Sequence, residues 1–263
     1  MPGRAARFLA EIGWPAGISA TALLLWEAAV RELHVRSIIL PPPSEILVVI
    51  FQRRELLLTH LWPSLILTVL GFALSVVGGD LVAVVITHSP IARKGFYPII
   101  VVSQIVPKIA IAPLFVAWFG TGMTSSLLLA VLITFFPMTI NAAMGFQSID
   151  EDTYRMARAF TGSDWDIFWK IRMPNGLPYI FSGMKISITF AVIGVVVSEF
   201  VASQEGIGYL IKLAGGLLDT PLMMAAIAVL SISGLAIYGL IALAEHRLIY
   251  WQTSDDIGGV SRS

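Results

Sequence analysis

The hydrophobic positions of this chain fall into six long runs that contain few charged residues. A helix needs about 20 predominantly apolar residues to cross a hydrocarbon core about 30 Å thick. None of the runs has the alternation of apolar and polar positions that is typical of barrel strands. The pattern therefore predicts an all-α membrane protein with six transmembrane helices, at residues 14–30, 62–87, 95–118, 126–146, 177–201 and 222–244.

Two other segments are apolar but do not have the form of a span. Residues 45–58 follow three consecutive prolines and include two arginines, which favours a helix lying on the membrane surface over a seventh span. Residues 202–221 form a long, half-apolar connection that we expect to dip into a mouth of the bundle or to lie across it. The first run follows Arg4 and Arg7, and we interpret it as an uncleaved helix because no small-residue cleavage site follows it.

Composition excludes several classes of protein. Hydrophobic residues make up 57% of the chain and charged residues 13%, with a mean hydropathy of +0.83, whereas a soluble domain carries about 25% charged residues. The 17 Lys and Arg residues balance 17 Asp and Glu residues, and the sequence contains no cysteine. These values exclude a soluble domain, a disordered chain, a disulfide-rich secreted module and a basic nucleic-acid-binding protein.

The positive charges predict how the chain is oriented, since cytoplasmic loops near helix ends collect Lys and Arg. With the N-terminus inside, eleven of the 17 Lys and Arg residues fall in inner segments, five fall in outer segments, and Lys108 lies within a span. We therefore expect both termini in the cytoplasm, and residues 120–122 and 202–221 on the outer side.

Residues 148–178 form a long charged stretch between two predicted spans. Asp152 is predicted to cap a first short helix that Gly162 ends, and Ser163 to cap a second one. Pro174 is expected to stop or kink the second helix. Three aromatic residues are expected to dock this pair of helices on the inner membrane surface: Trp165, Phe168 and Trp169. A short exposed helix between rigid breaks suits a groove in a partner protein.

The spacing of this insert resembles the EAA signature of the permease subunits of bacterial ATP-binding-cassette importers. In that family Glu-Ala-Ala, a Gly four residues after the second Ala, and Ile-x-Leu-Pro mark the loop that docks on the ATPase. Residues 171–174 (IRMP) match the last element with Met for Leu, and residues 155–157 (RMA) fall on Glu-Ala-Ala and retain its second Ala. Thr161 falls on the Gly, with Gly162 one place later. The resemblance implies an ATPase-coupling set that comprises Arg155, Met156, Ala157, Ala159, Phe160, Thr161, Gly162, Ile171 and Pro174.

Four longer stretches extend the resemblance over residues 40–251: PKIAIAPLFVAWFGTG, FFPMTINAAMGFQSID, GLPYIFSGMKIS and VSEFVASQEGIGYLI. They are similar to the branch that serves nitrate, sulfonates, taurine, riboflavin and thiamine pyrimidine precursors, and the first stretch resembles the riboflavin and thiamine-precursor members more than the sulfonate ones. The resemblance implies the MetI-like permease fold of type I importers. Its implied parts are an N-terminal helix and surface helix (1–60), a five-helix core (61–251) with the coupling insert (148–176), and a cytoplasmic tail (252–263).

The same resemblance implies an assembly in the bacterial inner membrane. The chain would pair with a second permease copy, as a homodimer surrounded by membrane lipid, and would bind ABC ATPase subunits that hold ATP and Mg. A periplasmic or lipid-anchored binding protein would deliver a small-molecule substrate. No cofactor and no nucleic acid is expected on this chain.

Enzymatic and secondary-transport alternatives find little support in the sequence. It has no Gly-rich phosphate loop, no HExxH and no GxSxG motif, so the chain is not expected to be an enzyme. An ATP-independent secondary transporter is the alternative function. Such a transporter is expected to show an inverted repeat between its halves, and no matching pair of segments is found.

Four polar residues within the spans are candidates for the substrate path: Gln104, Lys108, Asn141 and Glu199. Lys108 follows Pro107, and it either faces a cavity at a broken helix or snorkels to an interface. Glu199 is also a candidate for a structural bond to residues 202–221 or to Lys108. The two amides either contact a polar substrate or bridge neighbouring helices.

Overall fold

The computed structural model describes residues 4–161 and 163–251, and the predicted tail at 252–263 lies outside the described residues. The described ranges contain helices and connecting turns but no strand. The helices are α1 (Arg4–Glu32), α2 (Pro43–Gln52), α3 (Arg54–His88), α4 (Pro90–Ser103), α5 (Ala112–Phe119), α6 (Met123–Gln147), α7 (Glu151–Thr161), α8 (Asp164–Ile167), α9 (Met173–Ala202), α10 (Ile207–Gly216) and α11 (Thr220–Leu248). A 3₁₀ turn, Lys108–Ile111, precedes α5, and a π-helical turn, Phe168–Arg172, joins α8 to α9.

Four helical segments within the described ranges are long and apolar enough to cross a membrane: Arg54–His88, Met123–Gln147, Asp164–Val201 and Thr220–Leu248. The segments Pro90–Ser103 and Lys108–Phe119 meet at 84° and add a fifth crossing if they form one broken span. Helix α1 contains the first predicted span but is not among these segments. The described residues thus provide four or five apolar crossings where the sequence predicts six, and the all-α class is confirmed.

The centre of the bundle is formed by α3, α6 and α9, which approach one another closely at small residues. A Cβ added to Gly145 of α6 would lie 2.9 Å from the carbonyl oxygen of Gly176, in α9. A Cβ added to Gly183 of α9 would lie 2.9 Å from the Cβ of Asn141, in α6. Small residues at such crossings let helix backbones pack closely within a membrane. This three-helix core supports the candidate sites described below.

A separate apolar cluster lies at the end of the bundle that carries α2 and α10, called the α10 end below. Its large buried residues are Ile46, Leu57, Leu61, Ile207, Leu210, Leu222 and Leu230. The helix predicted at 45–58 is present only as far as Gln52, where α2 ends. Arg53 forms an ion pair with Asp219 at 2.9 Å, and the following residues enter α3 so that Leu57 joins the cluster. Tertiary packing therefore divides a segment that looks continuous in the sequence.

Candidate functional site

The charged insert forms α7 and the short helix α8 at the opposite end of the bundle. Asp150 caps α7, because its carboxylate accepts hydrogen bonds at 2.7 Å from both the backbone N–H and the hydroxyl of Thr153. These bonds, the backbone one first, hold the pKa of Asp150 below its usual value. The prediction of Asp152 as the cap is wrong, because Asp152 lies within the first turn of α7. Ser163 caps α8 as predicted, accepting from the N–H of Asp166 at 3.4 Å.

Side-chain contacts hold α7 against α8. The Tyr154 hydroxyl donates to the carboxylate of Asp164 at 2.9 Å, and Arg158 pairs with the same carboxylate. Helix α7 ends at Thr161. The predicted role of Gly162 as the left-handed residue between the helices concerns a position outside the described residues.

The predicted coupling residues on α7 are divided between an exposed face and a buried one. Phe160 is 83% exposed and Met156 is 59% exposed. Arg155 and Ala159 are also exposed, and Arg155 pairs with Glu151 on the surface at 2.6 Å. Ala157, in contrast, is only 6% exposed, so it packs within the chain. A partner that contacts α7 from outside meets Met156 and Phe160.

The second half of the predicted coupling set lies where α8 continues into α9. Ile171 is in the π-helical turn and Pro174 is in the first turn of α9, and both are half-buried. Pro174 is expected to stop or kink the helix; it does not stop it, because Asp164–Val201 runs on as one segment. Proline lacks an N–H and its ring clashes with the preceding turn of a regular helix, and a wider π turn is one way to accommodate it.

An aromatic cluster connects this insert to the spanning helices. Phe168 is 2% exposed, and its ring centroid lies 5.0 Å from that of His88, at the end of α3, and 5.2 Å from that of Phe146 in α6. Trp165 and Trp169 complete the cluster at 5.7 and 5.4 Å from Phe168. We call these five residues the Phe168 joint. The expectation that Phe168 docks on the membrane surface is wrong, because its ring is buried between three helices.

The broken span between α4 and α5 forms a second candidate site. Pro107, with φ −71° and ψ 82°, leaves the helical conformation, and the chain re-enters a 3₁₀ turn at Lys108. A cavity of about 340 Å³ lies beside the break, against α6 and α9, and both Gln104 and Lys108 line it. The ammonium nitrogen of Lys108 lies 5.1 Å from the ring centroid of Phe136. The structure thus brings together two of the four polar residues that the sequence singles out.

Glu199 lies elsewhere, in a buried network at the α10 end. Its carboxylate accepts hydrogen bonds from the Ser64 hydroxyl, at 2.7 and 2.8 Å, and from the N–H of Gly208 at 2.8 Å. The Ser64 oxygen accepts from the N–H of Ile207 at 2.8 Å. Together the two side chains satisfy the first backbone donors of α10, in the way that a capping residue does. A Cβ on Gly208 would lie 2.4 Å from the carbonyl oxygen of Val196, so this close approach requires glycine.

Asn141 does not line the cavity beside Lys108. Its amide donates to the carbonyl oxygen of Pro137 in the same helix at 2.8 Å, and it packs against Gly183 of α9. This placement favours the packing interpretation of that amide.

Sequence reasoning gave no role to His88 or Phe136 and misplaced Phe168. One signal was available for Phe168, because Trp165, Phe168 and Trp169 follow the i, i+3, i+4 spacing of a single helix face. Phe136 follows another phenylalanine inside an apolar run, and the sequence does not distinguish the two.

Comparison with known proteins identifies the chain's family. Residues 75–250, most of the chain, match the family described as binding-protein-dependent transport system inner membrane component. The chain belongs to this family.

Relatives match nearly the whole chain. The riboflavin transport system permease protein of Chloroflexus aurantiacus is 35% identical over 254 residues, which cover 94% of this chain and 95% of that protein. The formylaminopyrimidine transport permease protein of Halalkalibacterium halodurans is 32% identical, covering 88% of this chain and 92% of its own length. The taurine transport system permease protein of Escherichia coli K12 is 31% identical, with 89% and 88% covered.

Solved structures support the same fold. The MetNI methionine ABC transporter in an inward-facing conformation superposes with a TM-score of 0.61 at 19% identity, covering 76% of this chain and 97% of the solved one. The fold is therefore that of MetI-like permeases. With the family match, the apolar helices identify a multi-pass permease subunit of an ABC importer in the inner membrane. The function as an importer permease is favoured over a secondary transporter.

Proposed function

We propose that two copies of this chain form the path of an ATP-driven importer, with ATP and Mg bound and hydrolysed by separate ATPase subunits. A periplasmic or lipid-anchored binding protein delivers the solute to the outer mouth. The observation that carries the proposal is the construction of the insert. It presents an exposed short helix, α7, and connects it through the buried Phe168 joint to α3, α6 and α9.

In this proposal α7 seats in a groove of the ATPase, with Met156 and Phe160 as the apolar contacts. Closure of the ATPases on ATP moves the two inserts, and the Phe168 joint carries that motion into the spanning helices because a packed core does not deform continuously. Ala157, which is buried, supports the packing of α7 instead of touching the partner.

The transported solute is a small polar molecule. The names of the relatives offer two chemical classes, ring compounds (riboflavin and formylaminopyrimidine) and small oxyanions (taurine, sulfonates and nitrate). We favour riboflavin or a thiamine pyrimidine precursor, in agreement with the resemblance of residues 107–120 to those members. The sequence identities to relatives of the two substrate classes are similar and do not decide between the classes. The residues that line the solute path have to decide between them.

The discriminating experiment measures what drives uptake. The chain is purified with its co-expressed ATPase and binding protein and reconstituted into liposomes. We expect accumulation of labelled riboflavin to require ATP hydrolysis and to persist when ionophores collapse the ion gradients. Uptake that needs an ion gradient and ignores ATP would instead establish a secondary transporter.

The proposed orientation places both termini and the insert in the cytoplasm, and the α10 end outside, as positive charges collect inside. A sequence without cysteine allows single-cysteine labelling directly. Glu151, whose side chain is 75% exposed, and the exposed Gln204 are suitable positions on opposite sides. We expect a membrane-impermeant maleimide to label Gln204→Cys in intact cells and Glu151→Cys only after permeabilisation. The reverse pattern would overturn the orientation.

A further inference from the structure

Lys108 is a cation inside a spanning region, and no carboxylate of the described residues forms an ion pair with it. Its ammonium group instead lies over the ring of Phe136. A charge within a membrane is costly unless it meets a partner, water or a cavity, and such residues mark ligand paths. Here the ammonium group lies beside the cavity at the break between α4 and α5.

The other polar side chain of this cavity belongs to Gln104, an exposed residue that directly follows α4 at its C-terminal cap. Lys108 offers only donors, whereas the amide of Gln104 offers two donors and an acceptor oxygen. The two lie four residues apart on either side of Pro107. Together they line one side of the cavity with several hydrogen-bond donors and one acceptor. Such a set suits a ligand that carries mostly hydrogen-bond acceptor atoms along the side facing them.

The rest of the cavity wall is apolar. Ile133 and Pro137 of α6 line it from one helix, and Phe190 and Ile193 of α9 from the next. A cavity of about 340 Å³ falls in the size range of small-molecule sites, which are mainly apolar with a few placed polar groups. A nitrate or sulfonate group would leave most of this wall unused, and would place oxyanion oxygens against side chains that cannot donate to them.

We propose, building on the importer function above, that this cavity is a binding site on the solute path for a planar conjugated ring that bears carbonyl or similar acceptor atoms along one edge. The acceptor edge meets Lys108 and Gln104, while the ring faces lie against Phe190 and the aliphatic wall. The site selects ring compounds over small oxyanions.

The test uses riboflavin and taurine as probes on the full chain in lipid nanodiscs, without ATPase or binding protein. We expect saturable quenching of riboflavin fluorescence by the wild type, and binding weaker by at least about tenfold for Lys108→Met, because a charge-assisted hydrogen bond is lost. Lys108→Arg should retain most of the affinity. The matched control is Lys212→Met, which removes a lysine that also lies over an aromatic ring, Tyr209, but at the α10 end. That variant should bind as the wild type does.

Three results would overturn the proposal: no saturable quenching by the wild type, equal affinity of the wild type and Lys108→Met, or displacement of riboflavin by taurine at comparable concentrations. The importer function has a separate readout in ATP-driven uptake. Loss of ATP dependence with intact Lys108-dependent binding would contradict only that function. If uptake is driven by ATP but riboflavin binds the wild type and Lys108→Met equally well, only the proposed ring site is contradicted.

Discussion

Replacing Phe168 by alanine is expected to destabilise the protein and to uncouple ATP hydrolysis from transport. The ring is 2% exposed between α3, α6 and α8, and truncation of a buried phenylalanine costs about 3–5 kcal/mol through lost contacts and the remaining cavity. The same truncation removes the packing that connects α7 and α8 to the spanning helices. Thermal unfolding of the purified permease and the ratio of solute imported to ATP hydrolysed measure the two effects.

The adjacent Trp169 provides the matched control. It is also an aromatic member of the Phe168 joint, but it is 52% exposed, so Trp169→Ala should lower the unfolding temperature much less. Phe168→Leu, which keeps most of the apolar volume, should restore folding and separate stability from coupling. If Phe168→Ala and Trp169→Ala had equal effects on both readouts, the buried ring would not be the connection between the insert and the bundle.

Four of the six predicted spans, at 62–87, 126–146, 177–201 and 222–244, could be located from the sequence because hydrocarbon thickness imposes a long apolar run on each of them. The true helices are longer where packing continues beyond the membrane core. The run at 62–87 belongs to a helix that begins at Arg54, since Leu57 and Leu61 pack in the α10-end cluster. An apolar-run criterion does not detect these additional turns.

Pro107 suggested an interruption of the helix beside Lys108, but the sequence alone could not establish that the helix breaks there. Prolines also lie inside α3, α6 and α9, at positions 63, 137 and 178, and those helices continue through them. Whether a proline breaks a helix depends on what the neighbouring helices offer the freed backbone groups, which is a tertiary property. The 84° bend and the cavity that it opens therefore required the structure.

For the candidate coupling residues, too, the sequence predicts the local helix but not which side of it packs against the rest of the chain. Residue spacing placed Met156, Ala157 and Phe160 together on a short helix, and that helix is present. The sequence could not separate the exposed Phe160 from the buried Ala157, because the side of α7 that packs inward depends on its contacts with the rest of the chain. A charge at Ala157 would disturb the permease itself and would not report on the partner alone.

Phe160→Glu is expected to abolish binding of the ATPase while leaving the permease folded. The side chain is 83% exposed at the last turn of α7, so the isolated chain loses almost no packing when it is replaced. In the assembled importer the same position would be buried in the ATPase groove, where an unpaired carboxylate is strongly unfavourable. Co-purification of the ATPase with the tagged chain should fall below detection, with an unchanged unfolding temperature for the chain alone.

Phe160→Leu is the control that separates charge from any change at this position, because it retains an apolar side chain and should keep the ATPase bound. ATP hydrolysis stimulated by the permease in lipid should follow the same order. Its rate should be similar for the wild type and Phe160→Leu, and no stimulation is expected for Phe160→Glu. Full retention of the ATPase by Phe160→Glu would mean that α7 does not seat in the groove. The exposed aromatic would then lie at a surface that the ATPase never reaches, and the motion of the ATPases would have to enter the bundle by another contact.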